Sequence, residues 1–263
     1  MSGDARITDY DRLADRFDTR YAHYPYDGVR ETLSTFLGTA PSRVLEVGCG
    51  TGHWLAVIAG TDRSATAPCE RLIAGIDPSA AMLARACQAV PTAWLVRGRA
   101  EELPWRDASI DRVFCINALH HFTDRERFFA EARRVLRPGG GLMTIGKDPH
   151  TDRDQWWVYD YFEETREIDR QRFARVRTLR GEMALAGFAW TESMEAERIE
   201  MVRPATEMLA AGIVDPGFTS QLTLLSTEEY TRGTDRLRQG NDAAGGHLQL
   251  VVDVRLYATI AWV

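Results

Sequence analysis

The chain has 263 residues, 44% of them hydrophobic and 27% charged, with a formal net charge of −6 and a pI ≈ 5.6. That suits one large α/β domain with insertions or two small domains of ordinary globular composition, and the acidic balance argues against a nucleic-acid partner, which needs a basic face. No apolar run nears the roughly 18 residues of a membrane span, and the polar start Met1–Arg6 lacks a signal-peptide core, so a cytoplasmic location is expected.

Residues 1–40 are polar and aromatic (Tyr10, Phe17, Tyr21, Tyr24, Tyr26) and end in an amphipathic stretch from Val29 to Leu37. They read as one or two helices, an N-terminal lid segment outside a sheet. From Arg43 to Gly146 strand-like and helix-like segments alternate. Strands are predicted over 43–47, 72–76, 94–98, 110–116 and 141–145, because these runs are short, rich in Val, Ile and Leu, and show little polar alternation. Strands of a parallel sheet covered on both faces look like this. Helices are predicted over 52–59, 79–88 and 124–136, the last stopping at Arg137-Pro138-Gly139-Gly140. Such alternation implies right-handed crossovers and a doubly wound sheet, the main domain occupying 41–263. After Gly146 come charge and aromatics, among them Trp156, Trp157, Tyr159, Tyr161 and Phe162. A helix near 174–186 follows, then strand-like segments at 188–200 and 248–262. Helical cap insertions are expected at about 147–181 and 203–247.

Chemistry concentrates where strands end. Gly48, Gly50 and Gly52 follow the first strand at alternate positions, and such a strand–turn–helix corner binds nucleotides. His53 stands where a dinucleotide fingerprint has its third glycine, and Glu46 ahead of the turn suits a cationic ligand better than a pyrophosphate. Asp77 ends the second strand, where an acid accepts ribose hydroxyls, and Ser79 is a helix cap. An Asp77 that serves only its own turn is the bland alternative. Cys49, Cys69, Cys87 and Cys115 show no CxxC spacing, so neither a metal site nor a disulfide framework is expected. Lys147 is the only lysine, which reads as coding bias toward arginine. His120, His121, His150, Tyr21 and Tyr10 are the candidate general bases; His120 and His121 follow the fourth strand, at the ligand-binding edge of an open sheet. A structural role for either histidine is equally open. The aromatics of 156–162 line an acceptor pocket or pack a helix on the sheet.

Five segments occur in order: Glu46-Val47-Gly48-Cys49-Gly50-Thr51-Gly52, Gly75-Ile76-Asp77-Pro78-Ser79 with Met82, Ala100-Glu101-Glu102-Leu103-Pro104, Asn117-Ala118-Leu119-His120-His121-Phe122 and Val135-Leu136-Arg137-Pro138-Gly139-Gly140. Together they resemble the motifs of class I S-adenosylmethionine-dependent methyltransferases, in the small-molecule branch of the ubiquinone and menaquinone enzymes, over about residues 40–146. The resemblance implies a Rossmann-like, mostly parallel seven-stranded sheet with an antiparallel last strand. It implies that Glu46, Gly48, Cys49, Gly50 and Gly52 line the methionine half of S-adenosylmethionine and that Asp77 binds the ribose. Pro78 or Met82 would cover the adenine, Ala100 and Glu101 would border its edge, and Asn117 would lie under the sulfonium, with His120 and His121 beyond. Similar proteins carry an acid where this chain has Arg99. The implied activity is methyl transfer to a small organic acceptor at oxygen, nitrogen, carbon or sulfur. An NAD-dependent oxidoreductase and a cofactor-binding module without turnover are the rivals. The Asn-Pro-Pro-Tyr-type signature of nucleic-acid and protein N-methyltransferases is absent.

Overall fold

The computed structural model describes residues 18–39, 42–60 and 71–263. Tyr10, Phe17 and Cys69, and the first part of the expected lid, lie outside the described residues. The described residues divide into two units: a larger one drawn from 26–148, 173–197 and 256–263, and a smaller one drawn from 18–25, 149–172 and 198–255. Helix α1 (Thr19–His23) belongs to the smaller unit and α2 (Asp27–Leu37) to the larger. Val29, Leu33, Phe36 and Leu37 of α2 are buried, and the Phe36 ring lies 5.7 Å from that of Trp262.

The larger unit is built on parallel strands β1 (Ser42–Val47), β2 (Arg71–Asp77), β3 (Trp94–Arg97), β4 (Ile110–Ile116) and β5 (Leu136–Gly146), hydrogen-bonded in the order β3-β2-β1-β4-β5. Order β3-β2-β1 followed by β4-β5 puts the reversal between β1 and β4, where ligands bind in doubly wound sheets. The crossovers carry α3 (His53–Ile58), α4 (Ala80–Ala89) and α5 (Arg125–Val135). Ser79 and Asp124 cap α4 and α5 with side-chain oxygens that accept the amides of Met82 and Arg127. α8 (Val176–Leu185) and the start of β7 (Trp190–Pro204) follow. The last strand, β8 (Gln249–Trp262), runs antiparallel to β5 with Leu142 opposite Ala261 and Thr144 opposite Thr259, and also pairs β7. One sheet face is packed by Leu45, Val47, Val113, Cys115 and Leu142 against Phe128, Phe129, Val135 and Met183.

The smaller unit holds β6 (Gln155–Trp156), antiparallel to the first half of β8, with α6 (Trp157–Tyr161), α7 (Glu164–Arg172), α9 (Ala205–Ala210), α10 (Ser220–Thr223) and α11 (Thr227–Ala243). Its interior is an aromatic set: Trp157 and Phe162 at 6.2 Å, Phe162 stacked with Tyr230 at 5.9 Å, Trp156 edge-on to Tyr159 at 5.2 Å. Asp169 is fully buried and accepts the Tyr159 hydroxyl at 2.7 Å and the Gln221 amide at 3.0 and 3.1 Å. Four of the five aromatics at 156–162 are therefore core, and Tyr161 is half-buried. Among the described residues no helix is long and apolar enough to cross a membrane.

Candidate functional site

The turn after β1 is held by its neighbours in the sheet. The amides of Gly48 and Cys49 both donate to the Ile76 carbonyl, at 2.8 and 3.1 Å. The Gly50 amide donates to Asp77 Oδ2 and the Ser79 amide to Asp77 Oδ1, each at 2.9 Å. Asp77 thus ties the glycine turn to the start of α4. Glycine is required for conformation and for space. Gly48 and Gly52 have φ of 75° and 82°, in the left-handed region that side chains resist. A Cβ on Gly48 would stand 2.5 Å from Ala118 Cβ, and one on Gly52 3.0 Å from Ala86.

Glu46 is the electrostatic centre of this corner. It is 1% exposed, a backbone amide of Leu55 reaches it, and its Oε2 is buried without a hydrogen-bond partner. Burial first and the nearby Asp77 second push its carboxyl well above the ordinary carboxylate range, and the Leu55 amide offsets little of that. An acid so placed favours a cation. An ammonium of the ligand would complete its hydrogen bonding and draw its proton off.

Beyond β4 the chain kinks at Asn117, which has φ of 52° and donates its amide to the Ile145 carbonyl at 2.8 Å. A short 3-10 turn, Leu119–His121, follows. The His120 ring stands 3.9 Å from that of His121 and stacks on Phe173 at 4.0 Å, and Lys147 Nζ lies 5.3 Å from the Phe173 ring. The larger unit therefore brings Glu46, the glycine turn, Asp77, Asn117, His120 and His121 to the carboxyl ends of its parallel strands. Tyr21, on α1, and His150 belong to the smaller unit. Pro78 is exposed, whereas Met82 is wholly buried in α4. Ala100 is buried, and the Glu101 carboxylate faces Thr123 and Asp124. His53 is the first residue of α3.

Sequence reasoning missed Phe173 and the Glu101–Thr123 contact. Phe173 is 53 positions from His120, and nothing local marks it as a ring-stacking partner. For Lys147 the clue was visible, a lone lysine directly after a buried strand.

An open parallel sheet with a glycine-lined first turn and acids at the ends of its first two strands defines a Rossmann-like nucleotide-binding domain. The model of the family described as "Methyltransferase domain" matches residues 45–144. The chain is 35% identical over 126 residues to phthiotriol/phenolphthiotriol dimycocerosates methyltransferase 1 of Mycobacterium ulcerans, covering 47% of this chain and 44% of that protein. It is 33% identical over 122 residues to a demethylmenaquinone methyltransferase of Lactiplantibacillus plantarum, covering 44% of this chain and 49% of the other. The chain spans about half the length of the curated relatives it matches. Among solved structures it is similar to a protein of Anabaena variabilis assigned as a methyltransferase from an antibiotic biosynthesis pathway. The TM-score is 0.65 at 21% identity, with 90% of this chain and 98% of the other covered. Over residues 45–144 the chain is thus similar to methyltransferase domains, among whose relatives are proteins described as S-adenosylmethionine-dependent.

Proposed function

We propose that the chain transfers the methyl group of S-adenosylmethionine to a small organic acceptor by in-line displacement. The observation that carries this reading is the unpartnered, buried Glu46 Oε2 beside the left-handed glycine turn. The site's residues fit that cofactor. Glu46 would receive the ammonium of its methionine half, the open backbone at Gly48–Gly52 would let it approach, and Asp77, at the end of β2, would take the ribose hydroxyls. Pro78, exposed at the edge of the turn, covers one face of the adenine, and Ala100 borders it. When bound, S-adenosylmethionine supplies a methyl group already activated on a sulfonium. The protein's work is then alignment, which supplies roughly 7–11 kcal/mol when reacting atoms are held in line. Asn117 sets where the acceptor turn begins, and His120 and His121 take the proton when the nucleophile is a hydroxyl. Two relatives are named for methylating phthiotriol/phenolphthiotriol dimycocerosates and demethylmenaquinone, which supports a small organic acceptor here.

Calorimetry with S-adenosylhomocysteine and with NAD tests the reading. S-adenosylhomocysteine is expected to bind and NAD not to. Asp77→Ala should weaken S-adenosylhomocysteine by about 1–3 kcal/mol, because a buried acceptor is lost. Binding of NAD alone would refute the cofactor.

A further inference from the structure

The His120–His121 turn sits between two anchored ends, and its downstream anchor comes from another loop. At the upstream end the Asn117 amide is fixed on Ile145, and Ala118 Cβ fills the space that Gly48 leaves open. Within the turn the His121 amide donates to the Ala118 carbonyl at 2.9 Å and the Phe122 amide to the Leu119 carbonyl at 3.1 Å. At the downstream end a single oxygen, Glu101 Oε1, accepts the Thr123 amide at 2.8 Å, the Thr123 hydroxyl at 2.8 Å and the Asp124 amide at 3.2 Å. Donors converging on one ionised oxygen make the strong class of hydrogen bond.

Glu101 is itself immobilised. Arg127 Nε on α5 donates to its carbonyl at 3.2 Å, and the Leu103 amide donates to Glu131 Oε2 at 2.9 Å. Arg99 completes the clamp: its Nη2 donates to Thr123 Oγ1 at 2.8 Å, and its Nε stands 3.5 Å from Glu101 Oε2. Arg99 thus braces a loop-to-loop junction.

We propose that Glu101 is a positioning residue: through Thr123 and Asp124 it fixes the turn that presents His120 and His121, and its carboxylate is not a ligand of the nucleoside. The bearing of this on catalysis rests on the methyltransfer reading above. The clamp itself does not. The loop that follows β3 and borders the adenine thereby also sets the register of the acceptor turn.

The test uses the full chain with Glu101→Gln, which keeps the shape and removes the charge, and Thr123→Val, which removes only the hydroxyl. Amide hydrogen exchange at 118–124 should quicken by about tenfold or more in both variants, because local opening no longer breaks the clamp. The imidazole NMR shifts of His120 and His121 should move, and Thr123→Ser should restore them. Affinity for S-adenosylhomocysteine should stay within about threefold of wild type, since no ligand contact is lost. Glu101→Gln with tenfold weaker S-adenosylhomocysteine and unchanged loop exchange overturns the proposal and makes Glu101 an adenosine ligand. Unchanged imidazole shifts in both variants overturn it as well. If wild type itself binds no S-adenosylhomocysteine, the cofactor reading fails, and the exchange and NMR results still decide the clamp.

Discussion

Glu46 and Asp169 are both carboxylates removed from water, one in each unit, and their surroundings could hardly differ more. Asp169 receives a tyrosine hydroxyl and a glutamine amide, with Arg172 Nη1 3.9 Å away. Both of its oxygens are occupied, and burial together with the Asp169 charge drives the Tyr159 hydroxyl strongly upward, so Tyr159 stays a donor. Glu46 has one backbone amide and an oxygen with nothing opposite it. A buried acid that is satisfied by its own fold supports that fold. A buried acid left incomplete is destabilising until something arrives, and it marks where a ligand belongs.

The contrast can be broken at either end. The largest effect is expected at Asp169: Asp169→Ala strands the Tyr159 hydroxyl and the Gln221 amide and should cost about 3 kcal/mol in urea unfolding, at roughly 1–3 kcal/mol per orphaned group. A loss below about 1 kcal/mol would mean that the network is not what supports the smaller unit. Next is Glu46→Gln. It should weaken S-adenosylhomocysteine by about 1.5–3 kcal/mol, the worth of a hydrogen bond to a charged group, without lowering the thermal midpoint. Parallel losses of binding and stability would place Glu46 with Asp169 as a structural acid. Gly48→Ala forces a left-handed backbone and a collision with Ala118, and should cost about 1–2 kcal/mol of stability together with cofactor affinity.

The smallest effect is also the most specific. The carboxyl of Glu46 is raised in the free protein and should fall when a cation docks. Binding therefore releases a proton, and affinity should climb as pH rises from the ordinary carboxylate range toward the raised value. Stability runs the other way. A group raised by folding contributes stability below its unfolded pKa and loses it as pH rises through the folded one. Calorimetry in buffers of different ionisation enthalpy would detect the proton. An observed enthalpy independent of buffer would remove Glu46 from the ligand's charge balance.

Much of the larger unit was legible in the sequence because its signals are local. The apolar run at 110–116 is the strand Ile110–Ile116, and Ser79 caps α4 as read. The segments 188–200 and 248–262 became β7 and β8, the latter antiparallel to β5. The start of β5 was hidden. Pro138-Gly139-Gly140 reads as a break, yet the strand begins at Leu136, whose carbon skeleton is buried opposite Ile110. β6 is two residues long, too short to leave a period. In the candidate site, strand-end logic put Asp77 at the end of β2 and the glycines after β1, where the fold has them. Side-chain partners did not: Glu101 and Thr123 are 22 positions apart, and only the fold brings them together.

The lone lysine has a practical consequence. Because Lys147 carries the only ε-amine in these 263 residues and stands over Phe173, an amine-directed reagent has one internal target, and it lies directly after β5. The chain therefore contains its own labelling handle beside the stacked histidines. Protection of that amine by a bound molecule would report occupancy beside the His120–His121 turn before any acceptor has been identified.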